Sequence, residues 1–433
     1  MLYACVCAGH GATDLIQDWI QDVAKVPVDG SGLEPDVCLI EVGGTVGDIE
    51  SMVFLEALRQ FQFKVGTENF LLVHVSLVPY ASGEQKTKPT QHSVKKLMES
   101  GVNADIIVCR TEKSISDDLR SKIALFCNVD KNSVIESIDA KTIYEVPLLM
   151  QAEKLDKVVL NKLNIKNKKK SDLNDWKNFV DKLNNPKTTI NIGLIGKYVE
   201  LQDSYKSILE SFVHAGAVNE AKVNVVPIHS EEINDKTINN ILSKVDGILV
   251  APGFGERGIE GKILSIKYAR ENNLPFLGIC LGMQMAVIEF ARNVLGLKDA
   301  NSTEMSKSTK NPVISLMNDQ LNVEEKGGTM RLGSWKCKLK KNSLAYSIYK
   351  KDLVSERHRH RYELNFKYNE KLNKLGMISS GTNPKTGLVE IVEIPSHSWF
   401  IGVQFHPEYQ STVKNPHPIF VSFVSACIKK NNQ

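Results

Sequence analysis

No apolar run in this chain is long enough to cross a bilayer, so a membrane-spanning helix is not expected. Its eight cysteines (Cys5, Cys7, Cys38, Cys109, Cys127, Cys280, Cys337 and Cys427) form no CxxC pair and no spacing that suits a structural zinc site. Such scatter points to reduced thiols and a cytoplasmic protein rather than a disulfide framework. Met1 is not followed by a charged n-region, an apolar h-region and a small-residue cleavage site, so secretion is not expected. Charge of one sign is also scarce. Lys and Arg together number 54 against 50 Asp and Glu, a formal net charge of +4 over 433 residues. That excludes a strongly basic nucleic-acid binder, although local basic clusters can still hold phosphates. No GxxxxGK[ST] phosphate loop and no internal repeat occurs.

What is present is ordinary for a globular protein with sizeable cores: 42% hydrophobic and 24% charged residues. The length predicts two or three domains. A first block, assigned to residues 1–163, alternates apolar runs with helical patterns. Val37–Ile40, Phe70–Val75 and Ile106–Val108 read as buried strands, and Ser51–Phe61 and His92–Ser100 as helices. Strands alternating with helices imply a parallel sheet covered on both faces. Residues 164–188 are rich in Lys, Asn and Asp and read as an interdomain linker with one short helix around Trp176 and Phe179. The run Lys168–Lys170 within it reads as a solvated surface. A second block, residues 189–433, opens with the strand Ile190–Gly196. Strands at Val223–Ile228, Gly247–Ala251 and Pro275–Ile279 follow, with helices at Ser204–His214, Gly261–Glu271 and Leu281–Arg292. Beyond Gly327 the pattern is mostly strands and turns that can close a sheet edge, before a terminal helix at His417–Lys429.

The most specific signal is Gly278-Ile279-Cys280-Leu281-Gly282-Met283-Gln284, where an apolar strand enters a G-x-C-x-G turn and a helix leaves it. This is the cysteine form of a nucleophile elbow: the glycines permit a sharp turn and the helix N-terminus favours a thiolate. Alone, a cysteine between glycines is equally a packed core residue. Gln404-Phe405-His406-Pro407-Glu408 supplies a histidine and a carboxylate two positions apart in extended chain, the spacing of a general base and the group that fixes its ring. Ala251-Pro252-Gly253-Phe254-Gly255 follows a strand, and its N–H groups, with that of Leu281, suit an oxyanion hole; an ordinary strand-end turn is the plain alternative. Within Glu356–Glu363, a strand would place Arg357, Arg359 and Arg361 on one face.

The three segments together resemble the class I glutamine amidotransferases. That resemblance implies Cys280 as nucleophile, His406 as base and Glu408 as its partner. It also implies that Gly253, Leu281, Gly282, Met283, Gln284, Glu304 and Arg361 hold glutamine.

In the first block, Glu41–Glu50 is an acidic, Gly-rich loop after a predicted strand, and Lys86-Thr87-Lys88-Pro89-Thr90-Gln91-His92 offers lysines, hydroxyls and amides before a helix. Each segment alone is weak. Both, with Lys122–Asn128, Gly327–Gly333 and the arginine–histidine run, resemble the CTP synthase family from about Asp14 to Lys429. The resemblance implies an α/β chain: an incomplete P-loop-like parallel-sheet synthetase domain followed by a class I glutamine amidotransferase α/β domain. It implies a ligase of de novo pyrimidine nucleotide biosynthesis that uses ATP, UTP and glutamine with Mg²⁺, with GTP as activator. Glu41 would hold magnesium. Lys86, Thr87, Lys88, Pro89, Thr90, Gln91 and Lys122 would bind UTP or CTP, Asp48, Ile49 and Glu50 would contact CTP, and Ile138, Asp139 and Ala140 would lie near ATP. Arg331 would be the GTP contact. A homotetramer, filaments, and no nucleic-acid or membrane partner are implied as well.

Family members begin with a strand and a lysine-bearing Gly-rich loop that this chain lacks, and Met1–Gly11 matches them poorly. The expectation is therefore an N-terminally truncated synthetase half that does not make CTP by itself. A chain retaining only glutaminase activity, or a non-catalytic regulator within assemblies of the intact enzyme, remains open at this stage.

Overall fold

The computed structural model describes residues 2–28, 32–166, 172–316 and 330–432. The chain divides into two compact units, Met1–Leu173 and Asn174–Gln433.

In the first unit a three-stranded parallel sheet has the order Val73–Leu77, Ile106–Thr111, Val134–Ile138. The central strand is buried on both faces, as parallel sheets require. Ile107 and Cys109 pack with Leu55, Val94, Leu97 and Ile123 on one side. Ile106, Val108 and Ile135 meet Met150, Leu155 and Val159 on the other. The helix Asp117–Cys127 shows why its ends fall where they do. The Ser116 hydroxyl accepts from the Leu119 N–H, and Asn128 takes the left-handed conformation just past the last turn.

The strand expected at Val37–Ile40 does not form. The segment is irregular, and Leu39 is 92% exposed. A four-residue apolar run becomes a strand only when a neighbour accepts its hydrogen bonds, and the sheet ends instead at Val73–Leu77. Val73, Val75 and Leu77 on that edge strand are exposed as well.

The second unit is built on a nine-stranded mixed sheet. Five parallel strands run Phe400–Val403, Phe276–Ile279, Gly247–Val250, Thr188–Gly196, Ala221–His229. Val389–Glu393, Ile378–Thr382, Arg331–Leu339 and Leu353–His360 extend the Phe400–Val403 edge in antiparallel fashion. The late strands thus close the sheet edge, and they carry between them two short helices, Leu344–Tyr349 and Phe366–Lys374, that the sequence pattern did not reveal. The helix Asn174–Asn184, in the segment read as a linker, packs within this unit. Its Phe179 and Val180 are buried, and the Phe179 ring lies 6.2 Å from that of His214. Lys168–Lys170 lie outside the described residues.

The strand Phe276–Ile279 and the helix Leu281–Asn293 cross so closely that two glycines are obligatory. A Cβ on Gly278 would lie 2.7 Å from the Gly282 carbonyl carbon, and one on Gly282 would run into the Val250 carbonyl oxygen. Both obstacles are backbone and cannot swing aside. Gly282→Ala is therefore expected to destabilise the second unit by ~1–3 kcal/mol, the usual range for overpacking. Calorimetry of the full chain would read it as a lowered melting midpoint, and an unchanged midpoint would contradict the packing described.

Candidate active site

Cys280 joins that strand to that helix with φ 52° and ψ −102°, a backbone state that a residue with a side chain rarely adopts. Its N–H donates to the Val403 carbonyl at 2.7 Å, so the turn is tied to the neighbouring strand Phe400–Val403. The chain leaving that strand carries Gln404 and His406, which places the imidazole beside the sulfur. The His406 N–H is anchored by the Arg357 carbonyl at 2.8 Å. Nδ1 of His406 lies 2.7 Å from Oε1 of Glu408. Nε2 is buried and has no hydrogen-bond partner among the described residues.

The electrostatics follow from this packing. Burial pulls the His406 pKa down, but hydrogen bonds to Cys280 and Glu408, and the charges of both, raise it to about 11. A sulfur and a carboxylate on either side of one ring hold it as imidazolium. Gln404, fully buried, donates from Nε2 to Cys280 Sγ at 3.7 Å. Its Oε1 accepts from Gln284 Nε2 at 3.3 Å, and the same Gln284 amide donates to the Tyr362 carbonyl at 2.9 Å. Gln404 lies within the Gln404–Glu408 motif, but an amide in a motif carries no chemistry of its own until its neighbours are known.

The candidate glutamine residues lie on three elements. Leu281 to Gln284 form the first turn of the helix, and Gly253 lies against the Leu281 side chain. Glu304 accepts from the Gly255 N–H at 2.9 Å, which joins it to the 251–255 loop. Arg361 is half-buried at the end of the strand Leu353–His360, while Arg357 and Arg359 are exposed. The opposite face of that strand carries what the sequence reading passed over: Glu356, His358 and His360 are all buried. Their alternation with the arginines was the available signal.

Arg331 departs from expectation. Rather than facing a ligand, it is buried and ion-paired, its Nη1 3.0 Å from Glu363 and its Nη2 2.6 Å from Glu390. Glu390 in turn meets His358 Nε2 at 2.7 Å. With both terminal nitrogens engaged, the guanidinium acts as a structural tie between strands. Gly327, Gly328 and Thr329 lie outside the described residues.

In the first unit, Lys86 is ion-paired with Glu84. That carboxylate is held below its usual range first by Lys86 and further by the charge of Lys122, so the two candidate lysines share one neighbourhood. Thr87, Thr90 and Gln91 are buried: Thr90 Oγ1 donates to the Leu77 carbonyl at 3.1 Å, and Gln91 Nε2 to Thr87 Oγ1 at 3.1 Å. Lys88 and Pro89 open the helix Lys88–Glu99 and are exposed. Ile138, Asp139 and Ala140 line a cleft of about 450 Å³ with Arg110, whose guanidinium lies 3.0 Å from Asp139. Asp48, Ile49 and Glu50 are exposed at the start of the helix Ile49–Val65, and the loop before them is closed by Ser51 Oγ on the Thr45 and Asp48 carbonyls. Glu41 is exposed on irregular chain, and among the described residues no group of three or more His, Cys, Asp or Glu is placed to hold a metal.

Because the folded-state pKa of His406 lies above the unfolded one, the stability it contributes is complete below about pH 6.5 and is lost as pH rises through about 11. Ring titration by NMR is expected to find His406 protonated through neutral pH. Glu408→Gln removes one neighbouring charge and should lower the midpoint by roughly one to three units. A midpoint near the free value of about 6.5 in the unsubstituted chain would contradict the geometry.

Two family models match: CTP synthase N-terminus over residues 5–165 and glutamine amidotransferase class-I over residues 200–426. A CTP synthase of Christiangramia forsetii is 62% identical over 404 residues, covering 93% of this chain and 74% of the relative. One of Flavobacterium johnsoniae is 60% identical over 423 residues, covering 97% and 78%. The glutaminase domain of Trypanosoma brucei CTPS with bound acivicin is 39% identical, with a TM-score of 0.53, over 55% of this chain and 94% of that structure. These matches run along nearly all of the chain and about three quarters of the bacterial relatives' length. With both halves matched in order and identity at this level, the chain belongs to the CTP synthase family of glutamine-using ligases.

Proposed function

We propose that this chain catalyses the ATP-dependent amination of UTP to CTP with ammonia released from glutamine. What supports the ammonia-producing half is the placement of His406 and Gln404 on the chain leaving the strand beside Cys280, with His406 Nδ1 2.7 Å from Glu408 Oε1 and Gln404 Nε2 3.7 Å from the Cys280 sulfur. Cys280 Sγ attacks the side-chain amide carbon of glutamine. The oxygen becomes an oxyanion that the loop and helix N–H groups stabilise, and His406 delivers its proton to the departing ammonia. Glu408 keeps the ring oriented, and His406, now neutral, takes a proton from the water that hydrolyses the glutamyl thioester. Glu304 suits the substrate ammonium group and Arg361 its carboxylate.

In the first unit the Lys86–Gln91 segment and Lys122 would receive the pyrimidine nucleotide, and the Ile138–Ala140 cleft the ATP. ATP phosphorylates the 4-oxygen of UTP, and ammonia displaces the phosphate. Positioning and charge neutralisation are what a protein contributes to such a transfer. Mg²⁺ would arrive with the nucleotide phosphates, GTP would act as activator, and the setting would be a cytoplasmic homotetramer able to form filaments. No helix among the described residues is long and apolar enough to cross a membrane.

Cys280→Ala is the direct test. Glutamine-dependent turnover should fall by about 10⁴-fold or more, as when a covalent nucleophile is lost. CTP formation from UTP, ATP and ammonium chloride should persist. Surviving glutamine hydrolysis would remove Cys280 from its role. Failure of the unsubstituted chain to make CTP from ammonium chloride would remove the ligase reading and leave a glutaminase.

A further inference from the structure

Helix Ile259–Glu271 buries a lysine completely. Lys262 is 0% exposed, and its Nζ donates to the Ala251 carbonyl at 3.3 Å. A buried ammonium is costly unless its neighbours require it. Burial and the nearby Lys197 charge pull its pKa down, the Cys280 charge pushes it up, and it settles at about 7. A second lysine approaches the same loop from another element. Lys197, just past the strand Thr188–Gly196, donates to the carbonyls of Phe254 at 2.5 Å and Gly255 at 3.1 Å.

The N–H groups of 251 and 255 and three of the loop's five carbonyls can be followed to partners. The Ala251 N–H goes to the Ile195 carbonyl at 3.0 Å and the Gly255 N–H to Glu304 at 2.9 Å. The carbonyls of 251, 254 and 255 go to the two lysines. Pro252 has no N–H. The N–H groups of Gly253 and Phe254 are left, and neither has a partner among the described residues. A carbonyl shares its rigid peptide plane with the N–H that follows it, so the lysines hold the planes on either side of the two that carry the Gly253 and Phe254 N–H groups. The Phe254 N–H lies between carbonyls held at either end of the loop, and Gly253 abuts the Leu281 side chain beside Cys280.

We propose that Lys262, together with Lys197, is a positioning residue of the glutaminase centre: the pair grips the carbonyls of the 251–255 loop and so presents its N–H groups to the oxyanion. The proposal rests on the glutaminase reading above. Neither amine touches the reacting atoms, and both act through the loop. A displaced loop weakens the transition state while leaving the thiol intact, because Cys280 is set by its own turn and by Val403.

Lys262→Met keeps the length of the side chain and fills the same buried space without a donor. Its kcat for glutamine hydrolysis should fall 10- to 100-fold, the scale of a sub-ångström to ångström misplacement. The KM for glutamine should stay within about two-fold, and the rate of Cys280 alkylation by iodoacetamide should fall far less than kcat, only as the loss of a nearby positive charge requires, since neither depends on oxyanion stabilisation. Lys197→Met reads the same grip from the other side of the loop, and serves alone if Lys262→Met does not fold. Unchanged kcat in the variants that fold would overturn the proposal. A matched drop in alkylation rate would also overturn it, because the lysines would then be supporting the whole centre. An unsubstituted chain that hydrolyses no glutamine would sink the glutaminase reading itself, a result distinguishable from both.

Discussion

The second unit is organised around a backbone turn that the chain would not adopt spontaneously. Cys280 holds positive φ with a full side chain, a state that costs ~1–3 kcal/mol and persists only where the surroundings over-determine it. Here they do. Gly278 and Gly282 let strand and helix approach to backbone contact, and the Val403 carbonyl captures the Cys280 N–H. The sulfur is thereby lifted out of line with the strand toward Gln404 and His406. Every later step, from the charge on the imidazole to the fate of the amide nitrogen, presupposes that displacement.

Behind the turn lies a buried polar lattice rather than a purely apolar core. Arg331 bridges Glu363 and Glu390, His358 pairs with the other oxygen of Glu390, and Glu356 gathers Tyr349, Gln410 and His417. The Gln404 N–H donates to the Glu390 carbonyl at 2.9 Å, so the lattice reaches the residue that touches the sulfur. Removing one member of such a buried pair typically costs ~3–5 kcal/mol, because the other is left charged and unpaired. Its value here is directional. Strands Arg331–Leu339, Leu353–His360 and Val389–Glu393 are cross-tied by side chains as well as by their ladders, and the platform under His406 is stiff.

Where periodicity and turn chemistry agreed, the sequence was readable. The strands at 188–196, 221–229, 247–250 and 276–279 and the helices at 206–218, 259–271 and 281–293 were anticipated to within a few residues. The turn at Cys280 and the pairing of His406 with Glu408 were legible as well, because their motif residues are dictated by backbone geometry that only glycine and proline permit. Val37–Ile40 was misread because an apolar tetrad does not say whether a partner strand exists. The short helices at 344–349 and 366–374 hold too few turns to display a face. Lys262 and Arg331 were illegible for a different reason: charged residues default to the surface, and only three-dimensional neighbours reveal the carbonyl or carboxylates that keep them inside.

Strand Phe400–Val403 pairs directly with Phe276–Ile279, Gly402 standing opposite Gly278. Cys280 and Gln404 are thus brought into contact although 124 positions separate them. Loop closure becomes only slowly more costly as the intervening chain lengthens. The sulfur–imidazole spacing is consequently insensitive to the length of the exposed turns in that excursion, so long as its strands keep anchoring Gln404 and His406. Insertions, deletions or a grafted regulatory element at its exposed turns can alter when the centre fires without disturbing how its reacting atoms are spaced, which makes this stretch the natural place for lineages to diversify control.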